Sequence, residues 1–268
     1  MLDLLDFVLH RPHTRAARSD AERDHLAIMR VVFFRDFAAE IRLGAALALF
    51  RVFAIPRLSA TLAHTGAWTD GGTERLDRTV ALLTTLVADG YDGPRGAAAL
   101  ARINAAHGRH RIPNDDMRYV LTTFVTEPAR IIARYGPRPL EPIELAAACI
   151  FWREVGMRMG IRDIPADFAA MVAHAGVYEA RHRRPAATNH AVAAGALAAM
   201  VERLPPRLAP LGRGVLPALL DPDVRRACGL PDAPRALAWA LDRLAAARRR
   251  VAALRAPAWQ AGLDASSR

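Results

Sequence analysis

The segment from His107 to Asp116 carries the side chains of this sequence that are best suited to chemistry. It reads His-Gly-Arg-His-Arg-Ile-Pro-Asn-Asp-Asp. Leu100, Ile103 and His107 recur at i, i+3 and i+7, which predicts one apolar helix face that includes the imidazole. A neutral imidazole at such a helix end can coordinate a metal or a haem iron. It can equally be a core histidine that bonds a carbonyl or interacts with the helix dipole.

His110 follows three residues later, but Gly108 is predicted to end the helix between the two histidines. The two imidazoles would then lie on different faces, which disfavours a paired-histidine metal site. His107 alone is therefore the candidate ligand.

Three charged side chains, Glu127, Arg153 and Glu154, interrupt apolar helix patterns. A charge on such a face has to be paired or solvated. One interpretation is a carboxylate–arginine network around a cofactor or substrate, with Arg57, Arg111 and Arg130 as partners. The other interpretation is a set of purely structural ion pairs.

Three threonines, Thr122, Thr123 and Thr126, belong to the same predicted helix as Glu127. Their hydroxyls can face a pocket or bond back to carbonyls of their own helix. His64 and Arg57 fall in a segment predicted to be irregular, where side chains are readily aimed at a site.

The composition excludes several mechanisms. All 37 basic residues of the 268-residue chain are arginines, and the 27 acidic residues leave a formal charge of +10. Without lysine there is no lysine Schiff base, P-loop lysine or lysine general base. The arginines are scattered and aromatic residues make up only 6%, so no nucleic-acid partner is expected. The basic surface leaves room for contact with anionic lipid headgroups.

The cellular location is predicted from features that the sequence lacks. Cys149 and Cys228 are the only cysteines, and their spacing favours free thiols in a reducing compartment over a disulfide or a zinc site. Asp3 and Asp6 lie where a signal peptide would be basic, and no apolar run reaches the ~18 residues of a spanning helix. We therefore expect a cytoplasmic protein, with peripheral membrane contact as an option.

Helical periodicity with proline and glycine punctuation runs through the chain, which predicts an all-α fold. A flexible arm over residues 1–22 is expected to precede a single helical domain over residues 23–268. The segment 53–69 is predicted to be irregular, and Pro128 to kink or end the helix that Asn114 caps. Helices are predicted over about 24–53, as one helix or as two pieces, and over about 74–89, 94–107, 114–128, 142–159, 166–183, 191–204 and 234–254.

A series of short motifs occurs in order over roughly residues 30–225. They are Leu49–Ser59, Leu62–Gly66, Arg78-Thr79, His107-Gly108, Arg111, Asn114–Met117, Tyr119, Phe124, Glu127-Pro128 and Phe151-Trp152. Their order and spacing resemble the MpaB-type oxygenase family, which is related to the latex-clearing rubber oxygenases.

The resemblance implies a globin-like helical core and oxidative cleavage of an isoprenoid carbon–carbon double bond, with O2 as co-substrate. The rubber-cleaving branch uses haem b, so iron held in haem is the implied cofactor. His107 would be the axial ligand, with Arg111, Arg130 and Thr123 around the cofactor. Arg57 and Arg111 would hold propionates or orient the distal side, and Glu127 would accept a proton or fix an arginine.

Two departures from the family pattern bear on the cofactor. The rubber-cleaving branch has a lysine near the iron, and this chain has none. Many wider relatives have histidine after Trp-Val, where this chain reads Tyr119-Val120-Leu121, and leucine cannot bind iron. The fungal branch also has leucine there, so the change marks a branch of the family.

Two functions of different classes follow. The first is an oxygenase acting on a hydrophobic small molecule, whose site is walled by Phe, Leu, Val and Met side chains. The second is a non-catalytic helical protein that binds an apolar ligand or a partner, which the missing lysine and Leu121 favour.

Overall fold

The computed structural model describes residues 20–66, 68 and 72–255 of the chain, and helices are the only regular secondary structure within these ranges. The all-α prediction is confirmed for them. A π-helical turn, Val32–Asp36, joins the first two α-helices, and a 3-10 turn, Pro206–Leu208, precedes the tenth. The α-helices of this part of the chain are α1 (Ala21–Val31), α2 (Ala38–Phe53), α3 (Pro56–His64), α4 (Gly72–Asp89), α5 (Pro94–His107), α6 (Asn114–Tyr135), α7 (Pro142–Arg158), α8 (Phe168–His182), α9 (Ala187–Val201), α10 (Ala209–Leu219), α11 (Pro222–Ala227) and α12 (Arg235–Arg255).

Prolines set several helix starts. Pro56, Pro94 and Pro142 occupy the first position of α3, α5 and α7, where a missing N–H breaks no helical hydrogen bond. At α7, Glu141 and Glu144 complete a capping box.

Two predictions about helix ends are wrong, and at Pro128 one of the two predicted alternatives is excluded. Residues 53–69 are not irregular throughout, because Pro56 begins α3 as well as limiting α2. Pro128 does not end α6, which continues to Tyr135. Asn114 is the first helical residue of α6, while Pro113 holds the cap position without a side-chain bond. The segment after Pro205 also contains α10 and α11, two short helices that the sequence pattern missed.

The expected arm falls mostly outside the described residues. Residues 1–19 lie beyond them, whereas Ala21 and Glu22 already belong to α1, whose N-cap is Asp20. None of the helices in the described ranges combines the length and apolar character that crossing a bilayer requires.

The contact of α2 with α6 is the most extensive between two described helices. A β-carbon placed on Gly44 would lie 2.4 Å from the Cα of Pro128, so the two backbones meet directly and only glycine fits. This contact supports α6 on both sides of Pro128, which explains why the proline is tolerated inside the helix.

A hydrophobic cluster fills the space between α1, the α4–α5 hairpin, α6 and α7. Leu86, Leu121 and Phe151 are among its buried members. Leu121 is 4% exposed and packs toward Gly156 of α7. The cluster fixes the ends of α5, α6 and α7 relative to one another.

Candidate active site

A recess of about 480 Å³ lies between the end of α5, the loop that follows it, the start of α6 and the end of α7. Two asparagines hold its walls together. Asn104 Nδ2 donates to the Arg158 carbonyl at 3.0 Å, and Asn114 Nδ2 donates to the Arg162 carbonyl at 3.1 Å. Asn114 Oδ1 also accepts the Arg162 backbone N–H at 2.8 Å. The lining residues are Asn104, His107, Gly108, His110, Ile112, Asn114, Met117, Met159, Gly160, Ile161 and Arg162.

His107 lines this recess but is exposed, so the prediction that its ring faces inward with Leu100 is wrong. The ring lies past the end of the buried stripe on α5, where α7 has already ended. Enough protein surrounds the ring that burial lowers its pKa from the ordinary 6.5, while a hydrogen bond to the Ile103 carbonyl acts in the opposite direction. The positive charge of Arg75 and the neighbouring His110 lower the pKa further.

A low pKa keeps the imidazole of His107 neutral near pH 7. A neutral imidazole keeps a lone pair on one ring nitrogen, which is available to a ligand. His107 therefore reaches solvent and has the protonation state that metal coordination requires.

The recess has mixed chemistry, unlike the apolar pocket expected from the sequence. Ile112, Met117 and Ile161 supply apolar surface, whereas two imidazoles and the exposed Arg162 supply nitrogen donors. Among the described residues, no carboxylate lines it. Across the described residues there is no group of three or more His, Cys, Asp or Glu side chains able to hold a bare metal ion. A porphyrin iron needs only one or two protein ligands, so this donor set fits haem better than a bare metal.

Arg75 of α4, which the sequence reasoning missed, is half-buried and its charge reaches His107. Its guanidinium carbon lies 5.6 Å from the centroid of the Trp68 ring, and no carboxylate pairs with it among the described residues. Burial and the neighbouring Arg78 lower the pKa of Arg75. The indole N–H of Trp68, itself 4% exposed, has no hydrogen-bond partner in the described part of the chain. These side chains offer positive charge and a donor without a matching acceptor.

The Glu127 network centres on Arg51, a residue that the sequence reasoning did not assign to it. Arg51 Nε donates to Glu127 at 2.6 Å, its Nη1 donates to Glu179 at 2.9 Å, and its Nη2 donates to Asp221. Arg130, a predicted partner, donates to both carboxylate oxygens of Glu127, from Nη2 at 2.5 Å and from Nε at 3.0 Å. The network ties α2, α6, α8 and the start of α11 together.

Burial alone would lower the pKa of Arg51, but the three carboxylates outweigh it and raise that pKa. Tyr119 adds a donor, because its hydroxyl bonds Glu179 at 3.0 Å. Desolvation, followed by the Glu179 charge, raises the pKa of Tyr119 well above its usual value. The charges of the network are matched within the protein, which is what the structural interpretation predicts.

Arg57 and Arg111 do not join Glu127, so this part of the prediction is wrong. Arg57 donates to the buried Asp116, which also accepts the Tyr178 hydroxyl at 2.5 Å. Arg111 is exposed, in the loop between two lining residues of the recess.

Glu154 pairs with Arg158 at 2.6 Å and is separate from Glu127. The three threonine hydroxyls bond carbonyls of their own helix, and none of them lines the recess. Thr123 Oγ1 donates to the Val120 carbonyl at 2.7 Å, and Thr122 and Thr126 bond carbonyls of the same helix. Neither Thr123 nor His64 lines the recess.

Most of the chain matches a known protein family. Residues 33–255 match the family described as ER-bound oxygenase mpaB/B'/Rubber oxygenase, catalytic domain. An ER-bound oxygenase mpaB' of Penicillium brevicompactum is 29% identical over 198 residues, which is 67% of this chain and 47% of the relative. An ER-bound oxygenase mpaB of Penicillium roqueforti (strain FM164) is 27% identical over 198 residues, or 67% of this chain and 66% of the relative. The chain thus spans about half to two thirds of the length of these relatives.

Proposed function

Because the chain belongs to the family of mpaB and rubber oxygenase catalytic domains, we propose that it is a haem-dependent oxygenase. Its substrate class would be hydrophobic and isoprenoid-like. Both atoms of O2 would end in the two carbonyl groups formed when the carbon–carbon double bond breaks. The globin-like arrangement of the helical core is part of the same proposal.

The observation that carries this proposal is a neutral, solvent-accessible imidazole on the wall of a recess of about 480 Å³. That volume lies within the ~300–1,000 Å³ range of small-molecule sites. Haem would supply the O2 chemistry when bound, and His107 would be its protein ligand.

Guanidinium groups around His107 suit the carboxylates of such a cofactor. Arg162 lines the recess and Arg111 is exposed beside it, and neither has a carboxylate partner within the described ranges. Arg75 adds a positive charge that reaches the His107 ring. The role of these arginines would be to bind and orient the cofactor.

The other predicted site residues would not contact the cofactor in this proposal. Glu127 and Arg130 hold α6 through the Arg51 network, and Arg57 holds Asp116. They would be positioning residues, because their polar atoms are already engaged. Thr123 would support the helix rather than a cofactor.

The decisive experiment is a visible absorption spectrum of the haem-supplemented protein, with His107→Ala beside the matched variant His110→Ala. Both histidines line the recess and both are exposed, so neither substitution removes core packing. We expect a Soret band in the wild type, its loss or strong shift in His107→Ala, and its retention in His110→Ala. A band unchanged in His107→Ala would refute the ligand assignment, and a wild type that takes up no haem would refute the cofactor.

Catalysis is tested separately by O2 consumption and by carbonyl products after incubation with a polyprenyl substrate. Substrate binding without O2 consumption by the haem-loaded protein would instead support the non-catalytic binder.

A further inference from the structure

The last helix, α12, exposes an unusual amount of apolar surface. Leu244, Val251 and Leu254 are 50%, 42% and 86% exposed, and with Ala240 and Ala247 they recur at i, i+4, i+7, i+11 and i+14 from residue 240. This spacing places all five side chains on one face of the helix. We call this set the α12 stripe. It extends over about 21 Å of helix, at 1.5 Å per residue.

The opposite face of α12 anchors the helix to the rest of the protein. Ala245 is 3% exposed and Arg248 is 8% exposed. Arg248 donates to Glu40 and to the Tyr135 carbonyl, and Arg249 donates to the Arg134 carbonyl at 2.6 Å. The stripe is therefore held outward by a fixed helix.

Cationic and aromatic side chains border the α12 stripe. Arg243 and Arg250 are exposed and have no carboxylate partner in the described part of the chain. Trp239 is 65% exposed, and the Arg243 guanidinium carbon lies 5.8 Å from its ring centroid. The sequence of α12 contains six arginines and one aspartate, and that aspartate, Asp242, pairs with Arg134 at 3.1 Å.

We propose that the exposed face of α12 docks the protein on the surface of an anionic lipid bilayer, parallel to the membrane plane. Leu244, Val251 and Leu254 would enter the boundary between headgroups and acyl chains, Trp239 would lie at the headgroups, and Arg243 and Arg250 would contact lipid phosphates or carboxylates. An apolar stripe bordered by arginine and tryptophan is the pattern of a helix that lies in a membrane interface.

Charge favours the bilayer over a second copy of this chain. Two copies joined through the stripe would bring Arg243 and Arg250 close to one another without an acidic partner, and such like-charge contacts oppose association. Anionic headgroups instead provide the missing negative charge. The proposal does not depend on the cofactor, because α12 contributes no residue to the recess.

The test is sedimentation of the full chain with vesicles of neutral phosphatidylcholine, and with vesicles that also contain phosphatidylserine. We expect binding to the anionic vesicles that weakens with added salt. Arg243→Glu/Arg250→Glu should weaken it by about tenfold or more, because each basic residue near an anionic surface contributes ~1 kcal/mol. Leu244→Asp/Leu254→Asp should have an effect of the same order, because it removes the inserted side chains.

A matched control comes from α8, where Val177 and Arg181 are exposed and four residues apart, as Trp239 and Arg243 are on α12. Val177→Asp/Arg181→Glu should bind vesicles as the wild type does. Circular dichroism checks that each variant keeps its helices, and the Soret band should be the same in all of them.

Equal loss of binding in the α8 control, or no loss in the α12 variants, would overturn the proposal. So would a stripe-dependent dimer in solution without vesicle binding, since the occupant would then be a second copy. Binding to an acidic peptide but not to anionic vesicles would identify a protein partner and overturn it as well.

Discussion

The Arg51 network and the recess beside His107 are both built on α6, about 15 Å apart along the helix at 1.5 Å per residue, yet they treat charge in opposite ways. Around Arg51, the donors face carboxylates from α6, α8 and the start of α11. Around His107, the nitrogen donors face no carboxylate of the described residues, and within the same ranges the half-buried Arg75 has no acidic partner. Charges of the first kind are compensated within the fold and are costly to break, whereas unmatched donors of the second kind are available to a ligand.

The largest effect should come from breaking the satisfied region. Arg51→Met leaves Glu127 and Glu179 buried without their central partner. Arg130 and Arg183 still pair with these carboxylates, but the network is left with one buried negative charge in excess, and we expect the free energy of unfolding to fall by ~3 kcal/mol. Urea denaturation measures this value.

The control for Arg51 is Arg95→Met, because the Arg95 side chain is 77% exposed and pairs loosely with Asp89 at 3.5 Å. An exposed pair of this kind contributes ~0–1 kcal/mol. If both variants lost the same stability, the network would not be a structural centre.

A smaller effect of a different kind is expected from Arg75→Met. Removing an unpaired, half-buried charge also removes its desolvation cost, so only the contact with Trp68 is lost, and stability should change by less than about 1 kcal/mol. Cofactor uptake should weaken, while Arg78→Met, at an exposed position of the same helix, should leave it unchanged. Spectroscopic titration with haem measures the uptake. A loss of several kcal/mol of stability in Arg75→Met would place Arg75 with the scaffold instead.

The smallest effect concerns pH, because the recess is open to solvent. The folded-state pKa of His107 lies below its ordinary value of 6.5, so the unfolded chain takes up the proton more readily. The stability due to the neutral ring is present above pH 6.5 and is lost as the pH falls from there toward the folded-state pKa. Denaturation between about pH 5 and pH 7 should show a shallower pH slope for His107→Gln than for the wild type. If His107→Gln had the same pH slope as the wild type, His107 would contribute nothing to the pH dependence of stability.

The sequence predicts the long helices well, because apolar periodicity and punctuation agree there. Pro94 and Gly108 bound α5, and Pro142 and Gly160 bound α7 as expected. The short helices α3, α10 and α11 escape prediction because each begins at or near a proline that also limits the preceding segment. Helices this short contain too few turns for apolar periodicity to identify them.

The candidate site is less predictable for a physical reason. Periodicity places His107 on the stripe of Leu100, but whether a stripe is covered at a given turn depends on where the facing helix ends, and α7 ends before it reaches His107. In the sequence, Arg51 is only an interruption of an apolar run. Its three acidic partners are 76, 128 and 170 residues away, so no local pattern connects them to it. Arg75 has no carboxylate partner among the described residues. The sequence does not show this, because it depends on which side chains the fold brings close to Arg75.

The backbone contact at Gly44 has a consequence for how such proteins diverge. Side chains in a core can be exchanged and repacked as long as total volume is kept, but no repacking makes room for a β-carbon against the main chain of Pro128. The spacing of α2 and α6 is thus fixed by main-chain atoms, and the surrounding apolar residues can drift without altering it. Structures of distant members of this family should therefore be superposed on the Cα atoms where α2 and α6 cross. Shifts of their more variable segments can then be measured relative to these two helices.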